Sequence, residues 1–331
     1  MNKEFKCLYI QEKDGSFKRS IEKKYIDDLP QGEILINVKY SSLNYKDALS
    51  ATGNKGVTRN YPHTPGIDAS GIVVKSFNKC FKEGDKVLVT GYDLGMNTWG
   101  GFSEYIRVPA SWVVKLPQEL SLKESMYYGT AGFTAALSIY KLIQTVKKDD
   151  GDILVTGGTG GVASIAIKIL VKLGYSVVVA TGKLEEQKDI LFKLGAKEVI
   201  SKEEVNDKSS RPLLKSKWAG VIDTVGGNIL STAIKMTNYC GAVTACGNAA
   251  GGNFESSVYP FILKGVTLYG IDSVECPMDL RIKLWSLLAS EWKPKNLDSM
   301  VNIISLERLD ENINLILQGK HIGRTVINFN L

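Results

Sequence analysis

Apolar and polar positions alternate with a period of two in short runs through residues 1–120: Phe5 to Ile10, Glu33 to Tyr40, Gly71 to Val74, Lys86 to Thr90, Phe102 to Val108 and Trp112 to Leu116. Such alternation predicts strands, and Gly/Pro/Asp-rich breaks such as Glu83-Gly84-Asp85 predict the turns between them. The pattern is that of a small β-barrel with few helices. From about residue 125 the style changes. Helical patterns now alternate with the apolar runs Ile153 to Thr156, Val177 to Ala180, Glu198 to Ile200, Gly220 to Thr224, Gly241 to Cys246 and Val266 to Gly270. That rhythm predicts an α/β domain, a doubly wound parallel sheet with helices on both faces. The tail adds helices near 278–293 and 307–318 and a last strand from Arg324 to Phe329.

The length of 331 residues fits two compact units with a cleft between them. Hydrophobic residues at 44% and charged residues at 23% exclude disorder and a coiled-coil rod. The 41 basic and 35 acidic residues give a net charge of +6, scattered rather than blocked. This favours a mildly basic enzyme with an anionic substrate, and no nucleic-acid partner is expected. Five cysteines without a CxxC pair point to free thiols in a reducing cytoplasm. The first residues lack the apolar core of a signal peptide, and the most apolar stretch, 153–180, is broken by Lys168 and Lys172, so no membrane span is expected.

Metal and hydrolase chemistry are poorly supplied. A catalytic zinc needs three Cys, His or carboxylate ligands and a structural one commonly four. The chain has only His63 and His321, and its cysteines are far apart except for Cys240 and Cys246. No metal site is expected, and the cysteines read as small buried hydrophobes. No GxSxG elbow marks a serine nucleophile.

The strongest local signal is Ile153-Leu154-Val155-Thr156-Gly157-Gly158-Thr159-Gly160-Gly161-Val162-Ala163, an apolar strand entering a glycine-dense turn and then an amphipathic helix to about Leu173. Glycines there allow backbone N–H groups to approach a pyrophosphate whose charge suits a helix N-terminus. Ala163 stands where a third glycine is common, a substitution the fingerprint admits. An NAD site typically carries Asp or Glu at the end of the next strand. Here that strand ends Ala180-Thr181-Gly182-Lys183, with two donors and no acid. A carboxylate would repel a 2′-phosphate, so the sequence reads as an NADP(H) site.

Six segments then match a known family. Ser41-Ser42-Leu43-Asn44-Tyr45-Lys46-Asp47-Ala48-Leu49, Pro65-Gly66-Ile67-Asp68, Gly129-Thr130-Ala131-Gly132-Phe133-Thr134-Ala135, Trp218 to Gly227, Pro260-Phe261-Ile262-Leu263 and Gly270-Ile271-Asp272-Ser273-Val274 occur in order. The chain resembles the YhdH/YhfP-type quinone oxidoreductases of the zinc-independent medium-chain dehydrogenase/reductase superfamily, from near residue 1 to Thr325. The resemblance implies a GroES-like β-barrel plus a Rossmann domain. The barrel would be discontinuous, at 1–124 and 274–331, around an NADP-binding domain at 125–273. Carried over by matched motif, the nucleotide contacts are Tyr45, Thr159, Gly160, Gly161, Val162, Thr181, Gly182, Lys183, Lys202, Asn248, Ile262 and Ser273. Family members often have Arg where Lys202 stands, and lysine loses the bidentate geometry. Where zinc-dependent relatives carry Gly-His-Glu, this chain reads Gly66-Ile67-Asp68.

Some relatives are acrylyl-CoA reductases, which implies hydride transfer from NADPH to an activated C=C bond of an enoyl-CoA. The reacting atoms must then be held within about 3 to 3.5 Å, the developing enolate stabilised and a proton delivered. Tyr45 is the first candidate for donor or substrate orienter, since an ordinary phenol stays protonated at neutral pH. Its rival role is packing against the nicotinamide. Asn44 is a candidate donor to a carbonyl or a turn-stabilising residue, and Asp47 and Asp68 are candidates for holding that segment. Arg324, with Lys55, Arg59 and Lys320, is a candidate for a basic rim that binds nucleotide or CoA phosphates. His63 reads as a loop histidine, and Trp99 as a residue of the cleft mouth or the barrel packing. A quinone is the alternative acceptor, and a non-catalytic nucleotide-binding or nucleic-acid-binding protein is the alternative of another class. By analogy with relatives that pair edge strands, the Val266 to Gly270 strand implies a homodimer.

Overall fold

The computed structural model describes residues 3–331. The chain divides into two compact units: residues up to Thr130 with Val274–Ser290 and Asn296–Leu331, and Ala131–Ser273 with Glu291–Lys295.

The first unit begins with strands β1 (Glu4–Lys13) and β2 (Ser16–Tyr25), followed by β3 (Ile34–Leu43), helix α1 (Tyr45–Ser50), β4 (Asp68–Ser76), β5 (Lys86–Thr90), β6 (Tyr105–Val108) and β7 (Val114–Lys115). Helix α2 (Leu122–Leu142) is broken at Gly129, and the division into units follows Thr130. β1 and β2 form an antiparallel hairpin whose two-residue loop, Asp14-Gly15, has φ 51° and 73°. Positive φ at both positions makes this the turn whose twist matches the strands. β2 escapes the sequence reading because, among the described residues, its one strand partner is β1 and it is studded with Lys, Arg and Glu, as befits an edge. The Asp-Gly pair was the available signal.

β3 is the hub of this unit. It pairs with β4, with β6 along Ile34 to Asn37, and with the C-terminal strand along Tyr40 to Leu43. Ile34, Ile36 and Val38 pack into one core with Val73, Val87, Val89 and Ile106, while Leu35 joins Phe5, Tyr9 and Tyr105 on the other face.

In the second unit come β8 (Ile153–Thr156), α3 (Gly161–Lys172), β9 (Val177–Thr181), α4 (Leu184–Lys193), β10 (Glu198–Ser201), β11 (Trp218–Asp223), α5 (Gly227–Met236), β12 (Thr237–Ala245), α6 (Tyr259–Lys264) and β13 (Thr267–Gly270). The six strands are all parallel, in the order β10-β9-β8-β11-β12-β13. Strands β8, β9 and β11 are buried at every position, the continuous apolar run of a sheet covered on both faces. The order reverses between β8 and β11, and ligands of such sheets bind outside the carboxyl ends at that point.

The chain returns to the first unit through α7 (Met278–Ala289), β14 (Val301–Ile304), α8 (Leu309–Leu317) and β15 (Arg324–Asn328). β14, four residues long with two exposed positions, is a second strand the alternation does not announce. β15 lies antiparallel to β3, with Thr325 opposite Leu43. No described helix is long and apolar enough to cross a membrane.

Candidate active site

In the second unit, strand β8 ends in Gly157 and Gly158, at φ 91° and 55°, and the loop enters α3 at Gly160. A side chain at Gly157 would collide with Thr224, whose hydroxyl donates to Thr156 O at 2.8 Å. One at Gly158 would stand 2.7 Å from Gln187 Oε1 and 2.9 Å from the Thr181 hydroxyl. The loop is thus pressed between the ends of β9 and β11, where only glycine fits. The first N–H groups of α3 have no intrahelical partner, and its first turn carries no acid. A cradle of main-chain donors without competing carboxylates fits a pyrophosphate.

Asp223, buried at the end of β11, accepts from Thr156 Oγ at 2.8 Å and Gly226 N at 2.7 Å, and burial raises its pKa. It fixes the Gly226-Gly227 turn, against which the loop carrying Asn248 packs: a Cβ at Gly226 would lie 3.3 Å from Asn248 Cα. Thr181, Gly182, Lys183 and Lys202 meet at the ends of β9 and β10. Thr181 Oγ donates to Gln187 Oε1 at 2.6 Å, Lys183 N donates to Thr181 Oγ at 3.2 Å, and a Cβ at Gly182 would lie 3.8 Å from Lys202 Nζ. Lys183 and Lys202 are exposed, whereas Thr181 and Thr159 are buried. Ile262 is 67% exposed on α6, and Ser273 accepts from Thr134 Oγ at 2.8 Å. Gln187, one turn into α4, is the member the sequence reading missed.

The first unit holds a second constellation, at the root of α1. Asn44 caps the helix in extended conformation, φ −123° and ψ 161°, and its N–H donates to Asp47 Oδ2 at 2.8 Å. The other Asp47 oxygen accepts from Ile67 N at 2.8 Å. Asp68 accepts from Ser42 Oγ at 2.6 Å, Asn44 Nδ2 at 2.7 Å, Thr130 N at 2.9 Å and Thr130 Oγ at 2.6 Å. Arg324 lies 3.7 Å from Asp68 and donates to Ser42 Oγ at 2.7 Å and to Leu43 O and Asn44 Oδ1 at 3.1 Å each. Burial, reinforced by the charge of Asp68, raises the Asp47 pKa to about 7 against the opposing hydrogen bonds from Ile67 and Asn44. Burial lowers that of Arg324, which both aspartates oppose.

Two expectations are corrected by this geometry. Arg324 is no rim residue: it is 4% exposed and its two terminal nitrogens donate to protein groups. Asn44 has no donor left for a substrate carbonyl, since its amide also serves Ser42 O and its oxygen accepts from Arg324. Tyr45 instead is 51% exposed as the first residue of α1, and its hydroxyl has no partner among the described residues. Among the other candidates, Lys55 is paired with Glu12 at 2.7 Å, while Arg59 and Lys320 are exposed. His63 is buried, with its backbone paired to Ile10 and its pKa lowered by burial. Trp99 packs edge-on against Tyr9 at 5.6 Å.

Residues 30–118 match the alcohol dehydrogenase GroES-like domain and residues 161–290 the zinc-binding dehydrogenase domain. The second description implies a zinc, but the donors do not fit one: no three His, Cys, Asp or Glu side chains cluster suitably among the described residues. The chain is 45% identical to the putative quinone oxidoreductase YhfP of Bacillus subtilis, covering 98% of both chains. It is 40% identical to the probable acrylyl-CoA reductase AcuI of Escherichia coli, covering 98% of this chain and 99% of the other. The crystal structure of B. subtilis YhfP with NAD bound superimposes with a TM-score of 0.96 at 44% identity, covering 99% of this chain and all of that one. That of Salmonella enterica YhdH in complex with NADP gives 0.95 at 39%, covering 98% and 99%. The chain is an oxidoreductase and belongs to the medium-chain dehydrogenase/reductase superfamily, in the family of the YhfP-type quinone oxidoreductases and AcuI-type acrylyl-CoA reductases.

Proposed function

We propose that the protein is an NADPH-dependent reductase of an activated C=C bond, with an α,β-unsaturated acyl-CoA such as acrylyl-CoA as its acceptor. The observation that supports the cofactor assignment is the end of β9, where Thr181-Gly182-Lys183 carries no acid and Lys202 lies at the neighbouring end of β10. Two cations beside a hydroxyl suit a 2′-phosphate, and an acid there would select the free ribose hydroxyl instead. Thr159, Gly160, Gly161 and Val162 would hold the pyrophosphate on main-chain N–H groups, and Asn248, Ile262 and Ser273 would line the rest of the nucleotide. The bound cofactor supplies hydride. Tyr45, its hydroxyl unpaired among the described residues, would orient the acceptor or deliver the proton that completes the reduction.

The acyl-CoA assignment draws on the 40% identity to AcuI, and the 45% identity to YhfP favours a quinone as the second reading. Following NADPH oxidation with acrylyl-CoA and with a small benzoquinone separates them. Turnover with acrylyl-CoA in clear excess over the quinone is expected, and negligible acrylyl-CoA turnover would overturn the assignment. The same assay with NADH tests the nucleotide preference. Strand β13 has one strand partner, β12, among the described residues, and its open edge suits pairing with a second copy. Sedimentation of a monomer at micromolar concentration would remove the homodimer.

A further inference from the structure

Helix α1 has six residues, too short to hold its own geometry in water. Every polar atom of its cap is nonetheless engaged. Asn44 N and Nδ2 donate to Asp47 and Asp68, its Oδ1 accepts from Arg324, and its carbonyl accepts from Asp47 N at 3.1 Å. Asp68 at the start of β4 and Arg324 at the start of β15 grip it, and Thr130, beside the break in α2, holds Asp68 in turn. Ser42 bridges Asp68 and Arg324. A buried ion pair is weak as a source of stability, because desolvation offsets most of the attraction. Its firm property is direction, since a guanidinium forks along fixed lines to its acceptors.

We propose that Asp68 and Arg324 are positioning residues that fix the Asn44-Tyr45 turn and thereby aim the Tyr45 hydroxyl. The proposal rests on Tyr45 acting in the reaction. The pair touches no substrate; its influence passes through Asn44, whose amide it holds from both sides.

The test is a double-mutant cycle with the acceptor that the wild type reduces, measuring kcat and KM at saturating NADPH, the NADPH affinity by fluorescence titration, and thermal unfolding of each variant. Tyr45→Phe, Arg324→Met, Arg324→Lys and their combinations with Tyr45→Phe are compared. A displacement on the order of 1 Å at a reacting group costs roughly 100-fold in rate, so Arg324→Met should lower kcat by about that factor with NADPH affinity unchanged. Arg324→Lys should recover only part of the loss, since lysine keeps the charge without the fork. In the Tyr45→Phe background the loss from Arg324→Met should shrink to about 3-fold or less, because coupled groups are not additive. Equal losses in both backgrounds, or wild-type kcat in folded Arg324→Met, overturn the proposal. Unchanged kcat in Tyr45→Phe alone identifies a failure of the reading on which it rests. Should Arg324→Met not fold, Ser42→Ala takes its place, keeping both charges and removing the bridge. A several-fold kcat loss confined to the Tyr45 background is then expected, and an equal loss in both again refutes the idea.

Discussion

Gly129→Ala is the sharpest probe of this buried network. The glycine breaks α2 with φ 51° and ψ −155°, a region closed to residues with a Cβ. Holding alanine there costs about 1–3 kcal/mol in backbone strain alone. The added methyl would also collide with Ser42 Oγ and Asp68 Oδ2 and lie 2.7 Å from Arg324 Nη2. None of the three is a free side-chain end, so at least two charge-assisted hydrogen bonds must give way, each worth about 1.5–3 kcal/mol. Gly84→Ala is the control, because Gly84 has φ 89° and nothing within 4 Å of the added Cβ. Gly129→Ala should therefore be less stable than Gly84→Ala by about 3 kcal/mol or more, which lowers the apparent Tm by roughly a further 6–12 °C in domains of this size. Thermal and urea unfolding of both variants read this difference. Equal destabilisation would refute the claim that the network is tightly packed around position 129.

Three further outcomes follow from the geometry. Gln187→Glu keeps an acceptor for Thr181 Oγ while adding a negative charge beside Gly158, and Lys183→Glu reverses a neighbouring charge; each should lower NADPH affinity at least ~10-fold and shift preference toward NADH. Unchanged NADPH affinity in both would remove the β9 end as the 2′-phosphate site. Lys202→Arg should tighten NADPH binding by about 2- to 5-fold through bidentate phosphate contact, and weaker binding would show that Lys202 does not face the phosphate. The Asp47 carboxyl, held at about 7 by burial and then by Asp68, lies above the ordinary 3.8 of an unfolded aspartate. The native state therefore keeps a proton that the unfolded chain releases, and this contribution to stability is complete below about pH 4 and lost as pH rises to about 7. Carbon-13 NMR titration of that carboxyl reads the value directly, and a midpoint in the ordinary aspartate range would refute it.

The parallel sheet was readable because burial on both faces makes its strands plain apolar blocks. Ile153 to Thr156 has the same limits in pattern and structure, as does Lys86 to Thr90 in the antiparallel sheet of the first unit. Strand β2 was hidden by its charged, half-exposed sequence, although Asp14-Gly15 marked the hairpin. The glycine loop was legible since backbone geometry dictates its residues. Arg324 was misread because its basic side chain, viewed in sequence, resembles any surface cation; its partner Asn44 lies 280 positions away. Gln187 escaped for a related reason. Its role depends on which side of α4 faces the end of β9, and the polar stretch Leu184 to Asp189 does not reveal that face.

Lys202 and Arg324 show how differently two cations can be used. Lys202 is exposed at the end of a strand, and what it offers a phosphate is charge on a flexible stem. A neighbour such as Lys183 can share that work, and exchange with arginine alters affinity by a modest factor. Arg324 is 4% exposed and spends its two terminal nitrogens on Leu43, Asn44 and Ser42 while facing Asp68. A lysine ammonium lacks the planar fork that reaches those acceptors together, and a buried group left without its partner costs its full desolvation. Tolerance to substitution should therefore divide by construction, not by residue type. The nucleotide cradle, built from main-chain N–H groups and exposed ammonium groups, should accept side-chain exchange with graded losses in affinity. The root of α1, built from interlocked buried charges, should fail in steps, and by the coupling proposed through Asn44 those steps should appear in kcat.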